Sequence, residues 1–260
     1  MELKTIRFEV DGDGIALITI DQQDKLNALS GPVLSDLDAA FRDARSNAEV
    51  RGIVLTGAGE KSFVAGADIR QFTQFNALRG HRFALKGQVL FQRIEEMPKP
   101  VVAAINGFAL GGGCELALAC HLRVAAENAS FGQPEVNLGL IPGFGGTQRL
   151  PRIVGRGIAT EMILTGERVS AQRAYEIGLV NRLVPGDQLI DTAKGIALSI
   201  ASKAPVAVSL ALDAIRSSDL PLRDGLKYEA ALFGQLCDTQ DFQTGVHAFL
   251  ERRKPEFTGS

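Results

Sequence analysis

The chain has 260 residues, 45% of them hydrophobic and 22% charged, a globular balance that argues against wholesale disorder and allows a large core. Its formal net charge of −2 offers neither a basic stripe for nucleic acid nor an acidic tail, and the absence of Trp argues against a base-stacking platform. The longest uncharged run, Val101 to Cys114, is too short for a membrane span and is interrupted by Asn106 and several glycines.

Residues 3–10 and 14–20 read as two short strands around the turn Asp11-Gly12-Asp13-Gly14. A helix is expected over 32–46, where Val33, Leu34, Leu37, Ala40, Phe41 and Ala44 share one face. Gly52 to Gly57 is a continuous apolar run, which predicts a strand covered on both faces. A helix over 80–96 follows, with Phe83, Leu85, Leu90, Phe91 and Ile94 inward and Pro98 as its stop. Val101 to Ile105 predicts a second buried strand, 112–121 an apolar helix and Leu122 to Ala125 a further strand. Helices are expected over Pro151 to Leu164 and over 170–177, the latter with Ser170 as N-cap, and Leu179 to Val184 reads as the last strand. Beyond it the pattern is helical over 187–202, 205–217 and 221–236, with Pro205 and Pro221 near helix starts. The fold class is therefore α/β, with a core over 1–185 and a helical region over 186–260.

Three segments carry chemistry. In Ile105 to Ala119 a buried strand runs into the triplet Gly111-Gly112-Gly113 and then into a helix. Glycines there let a ligand approach the backbone, and the unpartnered N–H groups of a first helical turn favour an anion or oxyanion. Tight strand–helix packing would use the same glycines. Glu115 is the only charge between Val101 and His121, on a helix of Cys, Leu and Ala. Burial on such a helix predicts a raised pKa, whereas a narrow exposed stripe predicts none. Glu135 is the one carboxylate in the Gly- and Pro-rich stretch Ser130 to Leu150, and two lone carboxylates in apolar settings suggest an acid/base pair. Alone, Glu135 reads more readily as a surface loop residue than as a catalytic one. In Lys61 to Arg70, small residues flanked by Lys61 and Arg70 suit close approach to a ligand bearing phosphates, or a solvated turn.

Other chemistries find little support. Cys114, Cys120 and Cys237 lack C-x-x-C spacing, which fits a reducing cytoplasm better than a disulfide framework or a zinc site. His81, His121 and His247 share no metal-ligand spacing, and no serine sits in a G-x-S-x-G setting. The opening Met1-Glu2-Leu3-Lys4 lacks the apolar stretch of a signal peptide, and a cytoplasmic location is the expectation.

Taken together, these stretches resemble the crotonase superfamily, the enoyl-CoA hydratase/isomerase family. The likeness rests on Phe63 to Ile69, Gly107 to Ala117, and Phe131 to Glu135 running on to Gly145-Gly146-Thr147-Gln148-Arg149-Leu150. Leu164 to Arg168, Ala174 to Val180 and Phe249 to Phe257 add to it, so it spans nearly the whole chain. It implies a crotonase-like spiral of ββα units, with residues 186–260 building a homotrimer or homohexamer. It also implies an acyl-CoA thioester substrate and no cofactor beyond that CoA. The N–H groups of Ala67 and Gly112 would form the oxyanion hole. Glu115 would activate water and Glu135 would protonate Cα, a division held loosely because coupled carboxylates share protons. Lys25, Ala65, Asp68, Ile69, Arg70, Gly143 and, from a neighbouring subunit, Arg252 are the substrate-binding candidates. Phe72, Phe75, Leu78, Phe144 and Phe233 are candidates for the acyl end.

One departure stands at Asp21-Gln22-Gln23, where the family often has Asn-Arg-Pro, leaving Lys25 as the local cation and suggesting a less rigid loop. Retention of both glutamates favours an enoyl-CoA hydratase, a hydro-lyase, over a Δ3,Δ2-enoyl-CoA isomerase, which generally keeps one. A non-catalytic acyl-CoA binding protein would leave two buried acids unexplained. Acyl length stays open, as does the choice among fatty-acid oxidation, butyrate-type metabolism and aromatic degradation.

Overall fold

The structure is a computed structural model describing residues 3–260. The strands β1 (Ile6–Val10) and β2 (Ile15–Ile20) form the expected antiparallel hairpin, closed by Asp11, whose Oδ1 accepts the Ile15 N–H at 2.9 Å. Helix α1 (Gly31–Ser46) is capped by Ser30 and buries the six residues read from its sequence. Next come β3 (Gly52–Gly57), β4 (Ser62–Val64), α2 (Ala77–Glu95), β5 (Val101–Ile105), β6 (Phe108–Leu110), α3 (Gly112–Ala119), β7 (Leu122–Ala126) and β8 (Ser130–Gly132). This is a strand–strand–helix rhythm. The first strand of each pair joins one sheet, the second joins another, and the following helix packs between turns.

The larger sheet has the order β1-β2-β3-β5-β7-β10, parallel from β2 onward, with β10 at Arg182–Val184. The smaller has the order β4-β6-β8-β9, with β9 (Val169–Ser170) antiparallel to β8. Successive turns stack so closely that a Cβ on Gly113 would overlap the Val64 carbonyl. Only a glycine lets α3 enter beneath β4.

Helices α4 (Gly146–Val154), α5 (Arg156–Thr165) and α6 (Ala171–Glu176) follow β8, and α7 (Leu189–Ala201), α8 (Pro205–Arg216), α9 (Leu222–Cys237) and α10 (Gln240–Leu250) follow β10. The large sheet is apolar on both faces, as its continuous runs predicted. One face joins α1, α2 and α3 in the main core. The other presents Ile15, Val54, Val102, Ala104 and Val124 to Leu189, Ala193, Ala197 and Ala201 of α7.

Several expected boundaries differ. The helix expected from Pro151 starts at Gly146, because Gly145 serves as its cap, and it breaks at Gly155 (φ +81°) into α4 and α5. The strand expected over Leu179 to Val184 pairs only from Arg182. Before that, Leu179 and Val180 turn into the core, and the Leu179 carbonyl accepts from Nε of buried Arg123 at 2.7 Å. Leu85 is exposed, the α2 core stripe being Gly87, Leu90, Phe91 and Ile94. No single helix among the described residues is long and apolar enough to cross a membrane.

Candidate active site

The wall of the site begins where the loop after β4 pairs with the loop before α1. Ala65 N–H donates to the Leu26 carbonyl at 3.1 Å, Leu29 N–H to Gly66 at 2.8 Å and Asp68 N–H to Leu29 at 3.2 Å. This short parallel bridge fixes Ala67, whose own N–H has no acceptor among the described residues. The loop that supplies Leu26 and Leu29 lacks Arg and Pro but is tied through Asn27. Buried Asn27 donates to Ala58 and Ser62 carbonyls at 3.0 and 2.8 Å and accepts the Gln22 N–H at 3.0 Å. These three hydrogen bonds of the Asn27 side chain brace the loop where Arg and Pro are missing.

Gly112 opens α3, and its N–H likewise has no acceptor among the described residues, as a first-turn position dictates. Every residue of α3 is buried, which removes the exposed-stripe reading of Glu115, whose exposure is 2%. Glu115 Oε1 accepts two hydrogen bonds of 2.7 Å, from the Phe144 and Gly146 N–H groups at the start of α4. Burial pushes its pKa up to about 7, aided by Glu135 and opposed by these two N–H groups.

Glu135 sits on a single helical turn, Pro134–Leu138, and is partly buried, so the surface-loop reading gives way as well. Its Oε1 lies 2.8 Å from where a Cβ on Gly111 would stand, which places the carboxylate against the start of α3. Burial pushes its pKa up to about 7 too. Gln133, with no exposed surface, sets its side-chain amide beside Glu135, and with that amide oriented so that its nitrogen faces the carboxylate it donates to both oxygens at 3.2 Å.

Ala67, Gly112, Glu115 and Glu135 line one cavity of about 890 Å³, together with the expected Ala65, Ile69 and Gly143. Phe72, Phe75, Phe83 and Phe144 join the same wall in a chain of ring contacts at 5.0–5.5 Å. Lys25, Asp68, Arg70 and Arg252 lie outside this lining. Arg70 spends its guanidinium on Asp68, with Nε and Nη2 each 2.8 Å from a carboxylate oxygen. Leu78 and Phe233 are exposed and off the cavity. Sequence reading missed the far wall: Gln88, Gln92 and Glu95 of α2, and Arg149 and Arg152 of α4. Their signal was faint, a polar stripe on the cavity side of α2 that looks like an ordinary solvated face.

The cavity thus sets two carboxyl groups of raised pKa beside two unpartnered N–H donors and an aromatic pocket. Such a set can bind a carbonyl oxygen on which negative charge develops while moving protons at the adjoining carbons.

Comparison with known proteins gives the family. The sequence model of the family described as enoyl-CoA hydratase/isomerase matches residues 11–260. A short-chain-enoyl-CoA hydratase of Clostridium acetobutylicum is 47% identical over 257 residues, 98% of either chain. A crotonyl-CoA hydratase of Syntrophomonas wolfei is 45% identical over 244 residues, 94% of either chain. The crystal structure of an enoyl-CoA hydratase from Bacillus anthracis superposes with a TM-score of 0.95 at 41% identity, covering 99% of this chain and 100% of that one.

Proposed function

The chain belongs to the enoyl-CoA hydratase/isomerase family, and from that premise we propose that it adds water across the 2,3 double bond of a trans-2-enoyl-CoA to give a 3-hydroxyacyl-CoA. The observation that carries this reading is the pair Glu115 and Glu135, both with pKa values near 7 and both lining the cavity that holds the Ala67 and Gly112 N–H groups. A pair that holds about one proton near neutral pH supplies a base and an acid together.

The thioester oxygen accepts from the Ala67 and Gly112 N–H groups, which draws electron density from Cβ. Glu115, as carboxylate, takes a proton from water while the hydroxide oxygen bonds to Cβ. The π electrons move toward the thioester, and the two N–H groups hold the resulting enolate oxygen; each such donor is worth ~2.7–4 kcal/mol in comparable sites. Glu135, as carboxylic acid, gives its proton to Cα, and both new bonds form on the face the acids occupy, a syn addition. Two backbone donors from the Phe144 and Gly146 N–H groups favour the ionised form of Glu115, whereas at Glu135 burial is opposed only by its own backbone N–H. That asymmetry supports the division of roles. Every group drawn on is the chain's own or water, so we assign no cofactor beyond the CoA of the substrate.

The acyl group is short. The four-phenylalanine wall and the names of the relatives support a crotonyl-sized chain, and so a place in short-chain acyl-CoA metabolism. Lys25, Arg70 and Arg252 are exposed cations proposed to meet CoA phosphates, Arg252 from a neighbouring subunit of a trimer or hexamer, in the cytoplasm. A kinetic series over acyl length tests this reading. We expect kcat/KM to be highest for the four-carbon substrate and Phe83→Ala to shift the preference to longer chains. A flat series contradicts the short-chain assignment, and absence of turnover with every enoyl-CoA contradicts the activity itself.

A further inference from the structure

Helix α2 contains a glycine that its own stability does not call for. Gly87 is in the middle of the helix and buried, where glycine costs ~1 kcal/mol relative to alanine. The explanation lies across the helix surface. A Cβ on Gly87 would overlap Cδ1 and Cε1 of the Phe144 ring. That ring fills the notch left by the missing side chain, flanked by Phe83 at 5.0 Å and Phe91 at 5.4 Å on the same helix.

Two polar ties accompany the notch. Gln88 Nε2 donates to the Gly143 carbonyl at 2.9 Å. Arg149, paired with Glu95 of α2 at 2.8 Å, donates from Nη1 to the Phe144 carbonyl at 3.0 Å. Residues 143–146 are thus fastened to α2 by one buried ring and two hydrogen-bonded links. This segment is the one whose Phe144 and Gly146 N–H groups reach Glu115 Oε1 at 2.7 Å. Helix α2 supplies no reacting group, yet it sets where those two donors stand.

We propose that Gly87 is a positioning residue for the hydration reaction: by admitting the Phe144 ring it seats the loop whose N–H groups hold Glu115. The inference rests on the hydratase reading and on Glu115 as its base. A side chain at position 87 pushes the ring outward and draws the N–H groups off the carboxylate. Glu115 then loses support for its ionised form, so its ionisation moves to higher pH. A misplacement of about 1 Å can cost on the order of 10²-fold in rate.

The test compares wild type, Gly87→Ala and the double variant Gly87→Ala/Phe144→Leu with crotonyl-CoA over a pH series. For Gly87→Ala we expect kcat to fall by ~10²-fold with little change in KM, and the acidic limb of the pH–rate profile to move to higher pH. The double variant, with a smaller group facing the new methyl, should regain most of the rate and return the limb toward its original position. A folded Gly87→Ala enzyme with the wild-type rate and limb overturns the inference. So does a loss of rate with an unmoved limb and no recovery in the double variant, because a packing defect alone acts that way. If Gly87→Ala does not fold, Gln88→Leu at an exposed position removes one tie and should move the limb in the same direction; an unmoved limb there overturns the inference. A wild type inert toward crotonyl-CoA contradicts the hydratase reading and this inference with it. An active wild type with an unaffected Gly87→Ala contradicts this inference alone.

Discussion

Glu115 stands under two opposed influences. Burial and the neighbouring Glu135 favour the neutral acid, while the Phe144 and Gly146 N–H groups favour the carboxylate; burial prevails and the pKa reaches about 7. A carboxyl group whose pKa is higher folded than unfolded binds protons more tightly in the native state. Its contribution to stability is complete below the unfolded value, near 4.5, and is lost as pH rises through about 7. A shift of this size corresponds to something on the order of 3 kcal/mol. Glu115→Gln keeps an acceptor for both N–H groups and removes the titration. We therefore expect it to raise the melting temperature at pH 8 and to have little effect at pH 4.5, as read by calorimetry. A gain equal at both pH values contradicts the burial argument. The same two groups shape the rate. Activity falls at low pH as the base protonates and at high pH as the acid ionises, so a narrow bell centred near 7 is expected, its limbs belonging to the pair. At this scale the sequence was informative about Glu115, because a single charge on an apolar helix has few explanations. It was silent about the donors from Phe144 and Gly146, which lie 29 and 31 residues away and are backbone groups of a glycine-rich loop.

Elements legible in the sequence were those whose burial is one-sided or complete over several residues. The six inward positions of α1 and the unbroken apolar run of β3 each have a period that reports packing directly. Strands β4, β6 and β8, three residues each, are too short to show any period, so the second sheet was invisible although its first two strands lead straight to Ala67 and Gly112. Helix α10 lies in the stretch read as helical but was not resolved there as an element of its own, and its start is pinned by tertiary ties. Asp241 accepts the Thr258 and Gly259 N–H groups at 2.8 Å each and so fastens the C-terminal tail. The stacking of turns gives a sharp prediction for α3. Gly113→Ala brings a methyl into the Val64 carbonyl, and backbone has nowhere to retreat. We expect loss of the cooperative thermal transition, or a destabilisation in the 1–3 kcal/mol range typical of overpacked cores. A variant that melts with the wild type would mean that α3 can slide relative to β4.

Across the whole molecule, α7 closes the second face of the large sheet, and the helices after it leave much apolar surface in water. Ile215, Leu222, Phe233, Phe249 and Leu250 are each 68–83% exposed. We propose that this surface is an interface between copies of the chain, in line with the threefold assembly that the family resemblance implies. Light scattering at micromolar concentration should give the mass of three or six chains, and a monomer contradicts the assignment. The composition argued against nucleic acid and disorder, and the order of motifs pointed to the fold, but which apolar residues of the C-terminal helices stay exposed depends on how those helices pack and is not readable from their spacing alone. The central claim, that two glutamates in one cavity hydrate an enoyl thioester, is tested most directly by following the absorbance of the conjugated thioester of crotonyl-CoA. Wild type should abolish it. Glu115→Gln and Glu135→Gln should each slow that loss by ~10²–10⁴-fold while CoA binding is retained, and the double variant should lose far less than the product of the two. A folded variant of either kind that turns over within about threefold of wild type would contradict the account.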